Sequence, residues 1–343
     1  MLTTALSGGI IGLIFGFILQ RTRFCMTGGF RDMYIARNNT LFYAFLIAIT
    51  VESIGVLSLI KLGIIGNPYE EFSVLGAIVG SYLFGIGIVL AGGCATGTWY
   101  RAGEGLLGSG VALFFYMTSA AAMKSGFLVP LNQLIAKRWV INDDLAGQLG
   151  IPVWYFLVFI VAMTGFVVIR ELRKPRRQIA LLPARYKGVR HYLFEKTYHK
   201  YFAGLLIGLV AFIAWPASQL TGRVGGLGIT TPSAHLISYI ITGDSKQLGW
   251  GVFLVLGIFL GSFLAAKGSR EFRWRLPDLS TIGKSTLGGI FMGIGASWAG
   301  GCTIGNGLTA TAIFSSKGWI ALPVTILGVW TASYIIFVKP NKN

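Results

Sequence analysis

Negative charge is scarce in this chain. Its 343 residues hold 12 Asp and Glu against 29 Lys and Arg, a net charge of +17. Charged residues make up only 12% of the total and apolar ones 54%, where a soluble domain carries about 25% charged. That balance excludes an ordinary soluble domain. Histidine is rarer still: His191, His199 and His235 lack ligand spacing, so no metal site is supported. The three cysteines are widely separated and give neither C-x-x-C nor a pairing pattern. No Cys–His or Ser–His–Asp arrangement and no nucleotide loop can be assembled, which argues against an enzyme, against ATP-driven transport and against any cofactor.

What is present is a series of apolar runs long enough to cross a bilayer, which takes about 20 residues. The chain therefore reads as an all-α integral membrane protein in contact with lipid. Its positive charge is grouped between the runs. Ten Lys and Arg fall in 170–200 and five in 267–284, as the positive-inside rule expects of cytoplasmic loops. No base-stacking or groove-reading signature accompanies them, so nucleic acid is not an expected partner. Loop 63–73 lacks Lys and Arg and contains Glu70 and Glu71, and loop 131–151 is charge-balanced; both are expected outside. The first apolar run lacks the marks of a cleaved signal peptide and reads as a retained helix. About nine crossings are expected, with short re-entrant or broken helices, the N-terminus outside and the C-terminus, with Lys339 and Lys342, in the cytoplasm. The stretch 234–242 is too short to span. The expected organisation is a single membrane domain over 1–343, made of a first half (1–170), a basic cytoplasmic connector (171–200) and a second half (201–343).

One motif occurs twice. Ala91-Gly92-Gly93-Cys94 returns as Ala299-Gly300-Gly301-Cys302, and Gly85-Ile86-Gly87 returns as Gly293-Ile294-Gly295 at the same displacement. By the crossing count the first copy runs inward and the second outward, so the two halves are expected to be inverted, as in many transporters. A helix that stops inside a membrane leaves backbone groups that must line a cavity or be covered by protein. A new helix starting after each cysteine would aim its N-terminus at that spot and favour an anion. The S–H group is a weak donor and weak acceptor, suited to the weak, repeated binding that conduction needs. Cys25, in Thr22-Arg23-Phe24-Cys25-Met26-Thr27-Gly28-Gly29, stands at a further Gly-rich break. The candidate path is thus Cys25, Cys94 and Cys302, with Gly92, Gly93, Thr96, Gly300, Gly301 and Thr303 around it. Arg23 and Arg101 are candidates for attracting an anion. Glu52, within an apolar run, is a candidate for proton coupling or a structural partner for an arginine such as Arg101. Small packing residues are the competing explanation for single cysteines and glycine pairs; three cysteines, each at a Gly-rich break, argue against it.

With those three motifs in this order, the sequence resembles the YeeE/YedE family of sulfur-transport membrane proteins along nearly its whole length, and is most similar to the members that take up thiosulfate. The resemblance implies a bacterial inner-membrane protein shaped like an hourglass. Thiosulfate would be handed between Cys25, Cys94 and Cys302 through transient S–H hydrogen bonds, without a disulfide. It also implies a small TusA-like sulfur-carrier protein as a companion. Two alternatives stay open: transport of another sulfur or selenium oxyanion, and a membrane-bound sulfurtransferase holding a persulfide. With the inverted topology, Cys94 is expected to be reached from outside, Cys25 to be central, and Cys302 to lie toward the cytoplasm.

Overall fold

The computed structural model describes residues 1–173, 187–196 and 198–339. Much of the 171–200 connector, and Lys342, lie outside the described residues. The first part of the chain forms α1 (Leu2–Thr22), α2 (Met26–Ile35), α3 (Thr40–Lys61), α4 (Val74–Leu90), α5 (Ala95–Gly103), α6 (Leu107–Ser125), α7 (Val129–Ala136), α8 (Leu145–Leu149) and α9 (Val153–Leu172). Then follow α10 (Val189–Phe194), α11 (Lys200–Gln219), α12 (Thr230–Thr242), α13 (Trp250–Gly268), α14 (Leu279–Trp298), a π-helical turn (Gly305–Ala310) and α15 (Ser316–Ser333). Two three-residue strands, β1 (Glu71–Ser73) and β2 (Val140–Asn142), pair antiparallel.

Each of the nine expected crossings is a helix: α1, α3, α4, α6, α9, α11, α13, α14 and α15. Among the described residues, seven spans are long and apolar enough to cross a membrane, or eight if α6 and α7, bent by 72°, count as one. The remaining helix, α14, has 20 residues but is rich in Gly, Ser and Thr and carries Lys284. It lies between α4 and α6. The 13-residue α12 is too short to span, which takes about 20 residues. Local chemistry starts these helices in familiar ways. The Ser73 hydroxyl accepts from Gly76 N at 3.1 Å to open α4, and Ser315 accepts from Gly318 N at 3.2 Å to open α15.

Packing follows the repeat. α1 lies on α13 and α11 on α3; α6 lies on α14 and α15 on α4; α4 lies on α14. Under the displacement of the Gly-Gly-Cys motif, α3 corresponds to α13, α4 to α14 and α6 to α15, and α1 matches α11 by its place in the order, two helices before α3 and α13 respectively. Each contact between the two sets thus has its exchanged counterpart. The α4–α14 contact explains one pair of glycines in the second repeated spacing: a Cβ on Gly87 would lie 2.7 Å from Met292 N, and one on its copy Gly295 2.5 Å from Phe84 N. Backbone meets backbone there, the close approach that small residues allow in membrane bundles. α9 stands apart at the edge and buries only Leu157, Ile160 and Thr164. Thr164 meets Thr50 of α3 at 3.0 Å.

Candidate functional site

Both Gly-Gly-Cys copies break a helix in the same way. α4 ends at Ala91, and Gly92 turns left-handed at φ 67°. α14 ends at Ala299, and Gly300 does the same at φ 69°. Glycine takes that conformation without steric cost. Cys94 then stands in extended conformation as the N-cap of α5, its Sγ accepting from Gly97 N at 3.4 Å. Cys302 precedes the π-helical turn, where Asn306 N donates to its carbonyl at 2.8 Å. Cys25 is the N-cap of α2, with an extended backbone and no side-chain cap bond. All three cysteines are buried and free.

The structure brings Cys25 and Cys94 together. A Cβ placed on Gly97 would lie 3.4 Å from the Cys94 Sγ and 3.6 Å from the Cys25 Sγ, and the two thiols interact directly. Cys302 lies against Thr230 and the backbone of Ile229. The Tyr116 hydroxyl donates to Thr230 Oγ1 at 2.9 Å and is near enough to both Cys302 and Cys94 to feel their charge. Tyr116 of α6 and Thr230 of α12 therefore lie beside the sulfurs.

The threonines carry the most informative detail. The hydroxyls of Thr27, Thr96 and Thr303 are buried and have no hydrogen-bond partner. Each follows a cysteine by one or two positions. These hydroxyls and the three thiols together put buried O–H and S–H donors at each break. Thr96 and Thr303 were expected; Thr27 was not, although its place two residues after Cys25 matches that of Thr96 after Cys94. Tyr116 and Thr230 left no sequence signal at all.

Two cavities flank this centre. One, of about 340 Å³, is lined by Gly300, Asn306, Thr309, Lys317, Arg223 and the 225–232 backbone, and reaches Glu70 and Asp143. The other, of about 260 Å³, is lined by Gly92, Arg101 and Ser109 and by Arg275, Leu276 and Pro277 of the 267–284 loop. The motif of Cys302 thus faces the acidic loops and the motif of Cys94 faces the basic one. α4 runs 17 residues from Ser73 before it breaks, about 25 Å at 1.5 Å per residue.

The charged candidates are placed as follows. Arg101 donates to the Gly92 carbonyl and lies over the Tyr100 ring at 5.9 Å, beside the second cavity. Arg23 is held by two carboxylates, Glu104 at 2.5 Å and Glu271 at 2.8 Å, so its charge is balanced locally. Burial pushes the Glu104 carboxyl up, and Arg23 opposes the shift. Glu271 is part-buried but is held below its ordinary range by the Gln20 bond and by Arg23 and Arg21. Glu52 does not meet Arg101; its Oε1 accepts from Trp215 Nε1 at 3.0 Å. Among the described residues no group of three or more His, Cys, Asp or Glu is placed to hold a metal.

A model of the protein family described as Sulphur transport matches residues 21–331, a span that includes all three cysteines. The chain belongs to the sulphur transport family. Within and around that family, it is 52% identical over 343 residues to the thiosulfate transporter TsuA of Escherichia coli K12, covering 100% of this chain and 97% of that protein. It is 32% identical over 345 residues to the thiosulfate transporter TsuA of Spirochaeta thermophila, covering 96% and 98%. A shorter match, 42% over 96 residues, links it to the probable transporter YedE of Escherichia coli K12, covering 28% of this chain and 23% of that protein. These relatives are transporters, and this member of the sulphur transport family is not an enzyme.

Proposed function

We propose that this chain carries thiosulfate across the cytoplasmic membrane into the cell. The observation that supports the reading most directly is the lining: three buried thiols, each followed within two residues by a buried threonine hydroxyl. Two relatives matched over nearly their full length bear the name of thiosulfate transporters, which supports thiosulfate as the substrate. Thiosulfate is a dianion with sulfur and oxygen acceptors, and the lining offers S–H and O–H donors and the N-terminus of α5. These are weak donors, which hold an anion without trapping it. No bond in the anion changes and no cysteine is oxidised.

The path runs from the cavity at Arg223 and Lys317 to Cys302, past Tyr116 and Thr230, to the Cys94–Cys25 pair, and out by the cavity at Arg101 and Arg275. The basic 267–284 loop faces the cytoplasm in this reading, with the N-terminus outside and the C-terminus inside. The halves 1–170 and 201–343, joined by the 171–200 connector, are inverted repeats that narrow to an hourglass waist at the cysteines. Their exchanged helix contacts support this. A TusA-like carrier on the basic face would receive the sulfur inside. Uptake of labelled thiosulfate into proteoliposomes tests the reading, with unlabelled selenate and sulfate as competitors. Unlabelled thiosulfate is expected to compete best; equal competition by the other oxyanions would contradict the assignment.

A further inference from the structure

The sequence contains 12 carboxyl side chains, and three of them are buried: Glu52, Glu104 and Asp143. Glu104 has Arg23 against it and Asp143 has Lys317. Glu52, midway along α3, has no cation beside it among the described residues. Its Oε1 accepts from Trp215 of α11, and its Oε2 is buried with no hydrogen-bond partner. The neighbouring groups are neutral. Thr309 of the π-helical turn is within hydrogen-bonding reach of the carboxyl, with its hydroxyl turned to the Leu227 carbonyl at 3.1 Å. Ser53 turns back on the Ile49 carbonyl.

Trp215 and Thr309 are also walls of the cavity at Gly300 and Asn306, beside the Cys302 motif. Its charged groups are Arg223, Lys317, Glu70 and Asp143. Lys317 is near Asp143 at 3.9 Å, and Arg223 donates to the Gly225 and Gly226 carbonyls. A single buried carboxyl with no cation beside it among the described residues thus stands behind the wall of an anion vestibule. An ionised carboxylate there is disfavoured twice, by removal from water and by a dianion passing on the other side of Trp215. The neutral acid removes both penalties. A dianion drawn inward against 100 mV also faces an opposing ratio on the order of a thousandfold, and each accompanying proton reduces it.

We propose that Glu52 is a proton-binding site loaded together with the anion, so that uptake is coupled to an inward proton gradient. This rests on the transport reading given above. The proton passes from vestibule water to Oε2 and is released at the opposite face, while the anion crosses unchanged. By linkage, proton and anion each raise the affinity for the other.

The test uses the purified chain in proteoliposomes. The wild type should accumulate labelled thiosulfate at least tenfold when the outside is more acid. Glu52→Gln keeps an acceptor for Trp215 and a neutral side chain. It should still exchange labelled for unlabelled thiosulfate at equal pH, yet should not accumulate it. Accumulation by Glu52→Gln equal to wild type, or wild-type uptake indifferent to the pH gradient, overturns the coupling alone. Absence of exchange in the wild type contradicts the transport reading and this inference with it. If Glu52→Gln does not fold, Trp215→Phe serves: freeing Oε1 should move the pH of half-maximal uptake, and an unmoved profile overturns the proposal.

Discussion

Gly97 gives the account a prediction in which stability and function move in opposite directions. It lies inside α5 with ordinary helical backbone, and a methyl placed on it would meet the Cys94 Sγ at 3.4 Å and the Cys25 Sγ at 3.6 Å. Those are normal van der Waals separations, so the alanine fits without displacing either sulfur. Alanine is favoured over glycine in a helix, partly through the unfolded chain, by about 0.4–1 kcal/mol. Gly97→Ala should therefore raise the thermal midpoint slightly, by on the order of 2 °C. The same methyl fills the space in which both thiols point, and an anion could no longer touch the two sulfurs together. Labelled-thiosulfate uptake should fall at least tenfold. The assay pairs a melting curve in detergent with initial uptake rates from the same preparation. Wild-type uptake in a folded Gly97→Ala protein would show that the path does not pass this face of α5. A large loss of stability would show that the space beside the thiols is not open.

Cys94 has a structural role as well as a proposed functional one, and the two can be separated. Cys94→Ser keeps an N-cap acceptor for Gly97 N and should melt like the wild type, whereas Cys94→Ala should lose about 1 kcal/mol; uptake should be lost in both, as a serine with wild-type uptake would contradict. On the other face, burial holds the Asp143 carboxyl above its ordinary value of 3.8, with Lys317 and Ser315 opposing the shift. The folded state therefore binds this proton more tightly than the unfolded one, so the group's contribution to stability increases as pH falls from neutral toward 3.8. Melting curves across that range should show the slope in wild type and a flatter one in Asp143→Asn; identical slopes would refute it.

The helix breaks were legible because a break is a local backbone event. Gly-Gly supplies the left-handed turn that ends each helix, so Cys94 and Cys302 could be placed at helix ends from the chain alone. Partners drawn from distant helices could not. Tyr116 and Thr230 meet because α6 packs along α12, and nothing near either residue announces it. Trp215 likewise claims Glu52 across the α3–α11 contact, where sequence reasoning had offered Arg101. Arg23 looked like a free cation because Glu104 and Glu271, which balance it, lie far along the chain.

The central claim is that the sulfurs mark the path. Its most direct test is the initial rate of labelled-thiosulfate uptake by proteoliposomes holding wild type, Cys25→Ser, Cys94→Ser or Cys302→Ser, each checked for folding by its melting curve. The account predicts that every single replacement leaves a folded protein with uptake reduced at least tenfold. Wild-type rates from any folded variant would contradict it.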